Sequence, residues 1–151
     1  MHAFPTATLT FLVACVIHTQ AFALDPPPTD ARLRQWMGDE PVAAGKRVGI
    51  DYARCLDRAI VKDPVGLAGL FRFTASDGFI GAAAESHCSI MLGLLQRWGD
   101  EPFARVLRRQ KPRIRKAVID AIDYSFSFPG WKPSQFPKTY SLAPHEHIPN
   151  A

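Results

Sequence analysis

The sequence predicts an all-α fold, a small helical bundle of about five or six helices. Three observations carry this reading. Apolar residues recur at three- and four-residue spacing along residues 46–61 and again through 76–124. Helix punctuation recurs at matching intervals: Asp63-Pro64, Asp100-Glu101-Pro102 and Lys111-Pro112 read as starts, Gly38 and Gly99 as stops. No segment alternates apolar and polar residues as a half-buried strand does.

The chain has 151 residues, one domain's worth. Residues 1–23 carry no Lys, Arg, Asp or Glu. A short apolar core, Leu9 to Ile17, is followed by Ala21-Phe22-Ala23, the small-x-small pattern of a signal-peptidase site. The run is too short for a transmembrane helix, which needs ~20 residues. Residues 1–23 are therefore expected to be a secretory signal cut after Ala23. The alternative address is Leu12-Val13-Ala14-Cys15, a lipobox-like run that would acylate Cys15. Cutting leaves about 128 residues, enough for one core.

Residues 24–30 form a Pro-rich linker, and 31–125 the helical domain. Within it, Asp30 to Met37 reads as a short helix with Leu33, Trp36 and Met37 inward, and 39–45 as a loop. A longer helix is expected over 46–61, with Val48, Tyr52, Cys55, Leu56 and Ala59 as its stripe. Asp63 caps the next helix, which ends near Thr74. Ser76 or Asp77 is expected to cap a helix over 79–97, striped by Ile80, Ala84, His87, Cys88, Met91, Leu92 and Leu95. A helix from Pro102 carries Phe103, Val106 and Leu107. Another from Pro112 carries Ile114, Val118, Ala121, Ile122 and Ser125.

The run Leu94-Leu95-Gln96-Arg97-Trp98-Gly99-Asp100, then Phe103 and Leu107, then Arg113-Ile114-Arg115-Lys116-Ala117-Val118 and Ala121-Ile122, resembles a HEAT-type helical repeat. That resemblance implies HEAT-like antiparallel packing of the helices within residues 76–124. A full solenoid stacks several such repeats. This chain has one, with a degenerate partner over 45–76.

From Ser125 the composition changes. Residues 126–140 are rich in aromatics and proline, with Phe126, Phe128, Trp131, Phe136 and Tyr140. This arm is expected to run extended across the bundle rather than as a helix, covering the core or strapping a partner. Residues 141–151 read as a flexible tail.

With Cys15 removed, Cys55 and Cys88 lie on apolar helix stripes and are expected to pair in an oxidising compartment. Such a bridge closes a loop of about 34 residues and contributes roughly 3–4 kcal/mol in the chain-entropy model. The alternative is two buried, inert thiols.

Net charge is +4 and the isoelectric point is about 9.2. The charge concentrates in Arg105, Arg108, Arg109, Lys111, Arg113, Arg115 and Lys116, with no acid among them. This basic patch reads as a docking surface for an acidic protein partner, or as solvated helix faces. Charge alone would also suit nucleic acid, but the export signal directs the expectation to acidic proteins, anionic lipid or polysaccharide.

His145 and His147 form a weak metal candidate, two imidazoles on a polar tail. Glu85 beside Ser86 and His87 is the one cluster of mixed chemistry, though neighbours on a helix point about 100° apart. There is no His-Glu-x-x-His, Cys-x-x-Cys, Gly-x-Ser-x-Gly or Gly-rich phosphate loop, so no catalytic residue and no cofactor is assigned.

The expected function is therefore an exported, non-enzymatic, protein-binding domain, with an envelope accessory protein or an enzyme centred on Glu85 and His87 as the alternatives. The organisation is similar to small periplasmic immunity proteins that neutralise secreted bacterial toxins. That resemblance, of export signal, helices and one cysteine pair, implies an inhibitor-type role.

Overall fold

Eight α-helices and one 3-10 turn make up the regular structure among the described residues, which in this computed structural model are 26–125 and 132–143. The helices are α1 Asp30–Met37, α2 Glu40–Arg47, α3 Tyr52–Ile60, α4 Pro64–Thr74, α5 Gly81–Trp98, α6 Asp100–Arg108, α7 Pro112–Ser125 and α8 Pro137–Tyr140. The 3-10 turn, Pro133–Gln135, precedes α8. The fold is all-α, as the apolar spacing predicts, and no strand occurs among the described residues. The expected signal (1–23), its Cys15 alternative, Phe126, Phe128, Trp131 and the tail histidines lie outside them.

Helix α5 is the axis. Its second half is apolar apart from Gln96 and Arg97: Ile90, Met91, Leu92, Leu94, Leu95 and Trp98 are all buried. A helix so largely apolar has to be covered on most sides, and α1, α2, α6 and α7 pack around it. Gly93 lets α1 approach. A Cβ there would lie 2.8 Å from Pro28 Cγ and 2.9 Å from Leu33 Cδ2. The Pro-rich stretch thus joins the bundle at Pro28, whose carbonyl accepts from Arg97 Nη1 at 2.9 Å. Arg97 Nη2 also pairs with Asp30 at 2.6 Å.

The expected single helix over 46–61 is two helices, and the expected loop over 39–45 is mostly helix. Gly49, at φ +73°, breaks the backbone between α2 and α3. Asp51 then caps α3 by accepting from the Arg54 N–H at 3.1 Å. The sequence signal for α2 is the tetrad Gly38-Asp39-Glu40-Pro41, which recurs as Gly99-Asp100-Glu101-Pro102 at the start of α6. Both glycines have positive φ, 54° and 79°. The extra break accounts for part of the excess over five or six helices, and α8 for more.

Ser76 and Asp77 do not cap α5, which begins at Gly81 without a side-chain cap. Ser76 closes the turn before it, donating to the Phe73 carbonyl at 2.7 Å and accepting from the Gly78 N–H at 3.3 Å.

Residues 132–143 are not wholly extended. Proline opens both the 3-10 turn and α8. The α8 cap comes from a distant residue: Asp100 accepts the Lys138 and Thr139 N–H groups at 2.7 and 2.8 Å. Lys138 Nζ pairs with Glu101 at 2.7 Å, Tyr140 donates its hydroxyl to Asp123 at 2.6 Å, and Phe136 is buried.

The most extensive helix pair is α3 with α4. It depends on two glycines of α4. A Cβ on Gly66 would lie 2.6 Å from the Cys55 carbonyl oxygen, 2.7 Å from the Ala59 nitrogen and against Arg58 Cβ; one on Gly69 would collide with Cys55 Sγ. In an open helix Gly→Ala gains roughly 0.5–1 kcal/mol. Here the neighbour is backbone and cannot yield, so Gly66→Ala is expected to destabilise by about 1–3 kcal/mol. Urea denaturation of the two proteins checks the sign; a stabilised variant would overturn the close-packed α3–α4 interface.

Candidate functional site

Helices α6 and α7 place the basic residues. The buried stripe Phe103, Ala104, Val106 and Leu107 of α6 leaves Arg105, Arg108 and Arg109 facing out. Lys111, Pro112 and Arg113 form an exposed turn into α7. Arg115 is half-buried and closes that turn from behind, its Nη1 donating to the Gln110 carbonyl at 3.0 Å.

Ion pairing separates these cations into groups. Arg105 lies 3.7 Å from Glu101, and Lys116 lies 2.9 Å from Asp120. Arg115 serves the turn. Arg108, Arg109, Lys111 and Arg113 have no acidic partner within 4 Å among the described residues. Elsewhere Arg34, Arg58, Arg97 and Lys138 are each paired with a carboxylate at 2.6–3.0 Å. Glu101 is held below the usual carboxylate range by its hydrogen bond from Lys138. Its charge faces Lys138 of the arm first, and Arg105 and Arg108 of its own helix after that.

Glu85 and His87 do not form a site. They are two positions apart on α5, about 200° around the helix. Glu85 is exposed and lines an open groove with Cys88 and Tyr124, in two adjoining hollows of about 310 and 420 Å³. His87 points into the core and is wholly buried. Its Nδ1 lies 2.6 Å from the Tyr52 hydroxyl and its Nε2 lies 2.7 Å from Thr74 Oγ1. The rings of Tyr52, Phe73 and Phe79 meet it edge-on at 5.0–5.6 Å.

The proton positions follow from what the neighbours can accept. Thr74 Oγ1 is 3.1 Å from the Leu70 carbonyl, to which it donates. His87 Nε2–H then donates to Thr74, and Tyr52 donates to Nδ1. The reverse order strands the buried Tyr52 proton without an acceptor. This arrangement uses every polar atom of the three side chains and leaves none for a substrate. Burial lowers the His87 pKa to about 3, so the ring is neutral. Helical periodicity assigns His87 to an apolar face; the partners Tyr52 and Thr74, on two other helices, are not encoded in that spacing.

The expected Cys55–Cys88 bridge is not formed; both thiols are free. Their helices do meet, through Tyr52 and His87. The cysteines, however, sit on different faces. Cys55 Sγ is turned against Gly69 of α4, while Cys88, about 100° from His87, faces the groove beside α7. Burial raises both thiol pKa values, that of Cys88 to about 11, so neither is a thiolate nucleophile. Among the described residues no group of three His, Cys, Asp or Glu is placed to hold a metal.

Two outcomes are expected. Alkylation after unfolding without reductant should label both Cys55 and Cys88 on peptide mapping; a linked peptide pair would contradict the arrangement. Stability should depend on pH through His87. The unfolded imidazole binds a proton near pH 6.5 and the folded one only near 3. Between those values the unfolded state holds the extra proton, so stability falls as pH falls, by about 1.4 kcal/mol per unit. Urea titrations between pH 5 and 6.5, above the range of Asp63 and Glu101, isolate this slope; a flat profile there would rule it out.

A scan against protein-family models, a search of curated proteins and a search of solved structures each return no match for this chain.

Proposed function

We propose that this chain is an exported, non-enzymatic binding domain that docks the acidic surface of a partner protein through the turn between α6 and α7. The observation that supports it is the set Arg108, Arg109, Lys111 and Arg113, four exposed cations gathered at one turn with no carboxylate within 4 Å among the described residues. Like charges held close on a helix hairpin cost the isolated fold a few tenths of a kcal/mol per pair. An acidic partner removes that cost and gains speed of encounter.

Two helix ends and the Arg115 bond to Gln110 define the turn, so little ordering is left to binding. Export rests on the signal pattern of residues 1–23. An immunity-type or inhibitor role is the biological form of this reading that the chain's organisation suggests. The non-enzymatic part rests on His87 being enclosed and Glu85 standing apart from it.

The triple variant Arg108→Glu, Arg109→Glu, Arg113→Glu is expected to keep the circular dichroism of the parent and to lose at least about tenfold in partner capture from envelope extract. Capture that is unchanged would sink the proposal. Retention that vanishes in high salt and involves only lipid or polysaccharide would replace the protein partner with an anionic surface.

A further inference from the structure

Glu85 takes no part in the His87 row, but it stands over a trough between α5 and α7. Two adjoining hollows, of about 310 and 420 Å³, share Glu85, Cys88 and Tyr124 among their lining residues. Ala84, Cys88 and Ala121 are short side chains from the two helices, and they leave the trough open. Residues 81–89 of α5 run along it, a length of about 12 Å. Three rings line it. Trp36 belongs to the hollow that reaches Ser89, Phe79 to the one that reaches Gly81, and Tyr124 to both.

The walls are apolar and are fixed by the fold itself. Phe79 packs edge-on against His87 at 5.6 Å. Burial first, and the charge of Glu85 after it, keep Cys88 a neutral thiol, so the floor carries no charge. Tyr124 is 58% exposed, and Ile80, next in sequence to the lining residues Phe79 and Gly81, is 64% exposed. Large apolar side chains left open beside a ring-lined trough form a patch rather than scattered surface residues.

Charge narrows the occupant. Among the described residues neither hollow is lined by Lys, Arg or His. Glu85 has no ion pair among them, whereas Asp120, on the α7 wall, pairs with Lys116 at 2.9 Å. The hollow of about 330 Å³ beside α2 differs in both respects: Lys46 lines it, and its carboxylate, Asp51, already caps α3. Arg32 lies 5.4 Å from the Trp36 ring centroid, so an incoming cation is favoured at the other end, beside Phe79 and Tyr124.

We infer that this trough binds a small organic ammonium ion with an apolar body. Glu85 accepts a charge-assisted hydrogen bond from the ammonium group. The faces of Phe79 and Tyr124 add attraction for the cation, and the apolar body lies on Ala84, Cys88 and Ala121. A trough this short, with a ring at either end, suits a small molecule rather than a partner's helix. The site is separate from the basic turn and stands whether or not that turn docks a protein.

The probe is 3-phenylpropylammonium, titrated into the whole protein labelled with ¹⁵N, with 3-phenylpropan-1-ol as its uncharged counterpart. Saturable shifts are expected over residues 79–89 and 120–125. Affinity for the ammonium should exceed that for the alcohol about tenfold, and should fall about tenfold in Glu85→Gln. The alcohol should bind parent and variant alike. Glu85 is exposed, so the substitution leaves the core intact, and the comparison of the two probes tests the charge contact with the protein unchanged. Absence of a saturable shift at millimolar ammonium would overturn the inference. So would equal affinity of the parent for both probes, or shifts that are indifferent to position 85.

Discussion

The hydrogen-bonded row Tyr52–His87–Thr74 is the constraint on which the bundle depends. It joins three helices, α3, α5 and α4, through side chains that are all buried from bulk solvent. A buried apolar contact tolerates small shifts; a buried ring nitrogen does not, because losing its partner costs the full desolvation of that atom. The row therefore sets the rotation of α5 about its own axis. Once His87 points to Tyr52, Cys88 is turned to the α7 side and Glu85 to the surface. The separation of the two cysteines and the separation of Glu85 from His87 follow from this single orientation.

What was legible in the sequence was what is local. The stripe of α5, the proline starts of α4, α6 and α7, and Asp63 as a cap are each written within a few residues of where they act. Two kinds of information were not local. The break at Gly49 was hidden because the apolar spacing runs on through it, while the tetrad at 38–41, which announces α2, becomes readable only beside its second copy. The partners of His87 and the cap that Asp100 provides to α8 join residues 13 to 39 positions apart, and no periodicity encodes them. Of the basic patch, the residues were legible and their roles were not. Pairing divides them into cations without a carboxylate within 4 Å among the described residues, paired cations and the turn-closing Arg115.

Cations beside the chain's own joints are paired: Arg97 at the entry of α1, Arg58 at the α3–α4 turn, Lys138 at the arm. Four cations without a carboxylate within 4 Å among the described residues, Arg108, Arg109, Lys111 and Arg113, stand together at the α6–α7 turn.

Arg97 and Asp100 carry a further meaning when taken together. Arg97 fastens Pro28 and Asp30, where the described chain enters, and Asp100 fastens Lys138 and Thr139, near where it leaves. Entry and exit are thus gathered at one pole, at the joint between α5 and α6. The basic turn lies at the other end of α6, about 12 Å along its axis. Described ends gathered at one pole are the geometry that permits circular permutation and insertion into a host protein. The described domain can be held from one end, by whatever precedes or follows it, with the basic turn at the far end of α6.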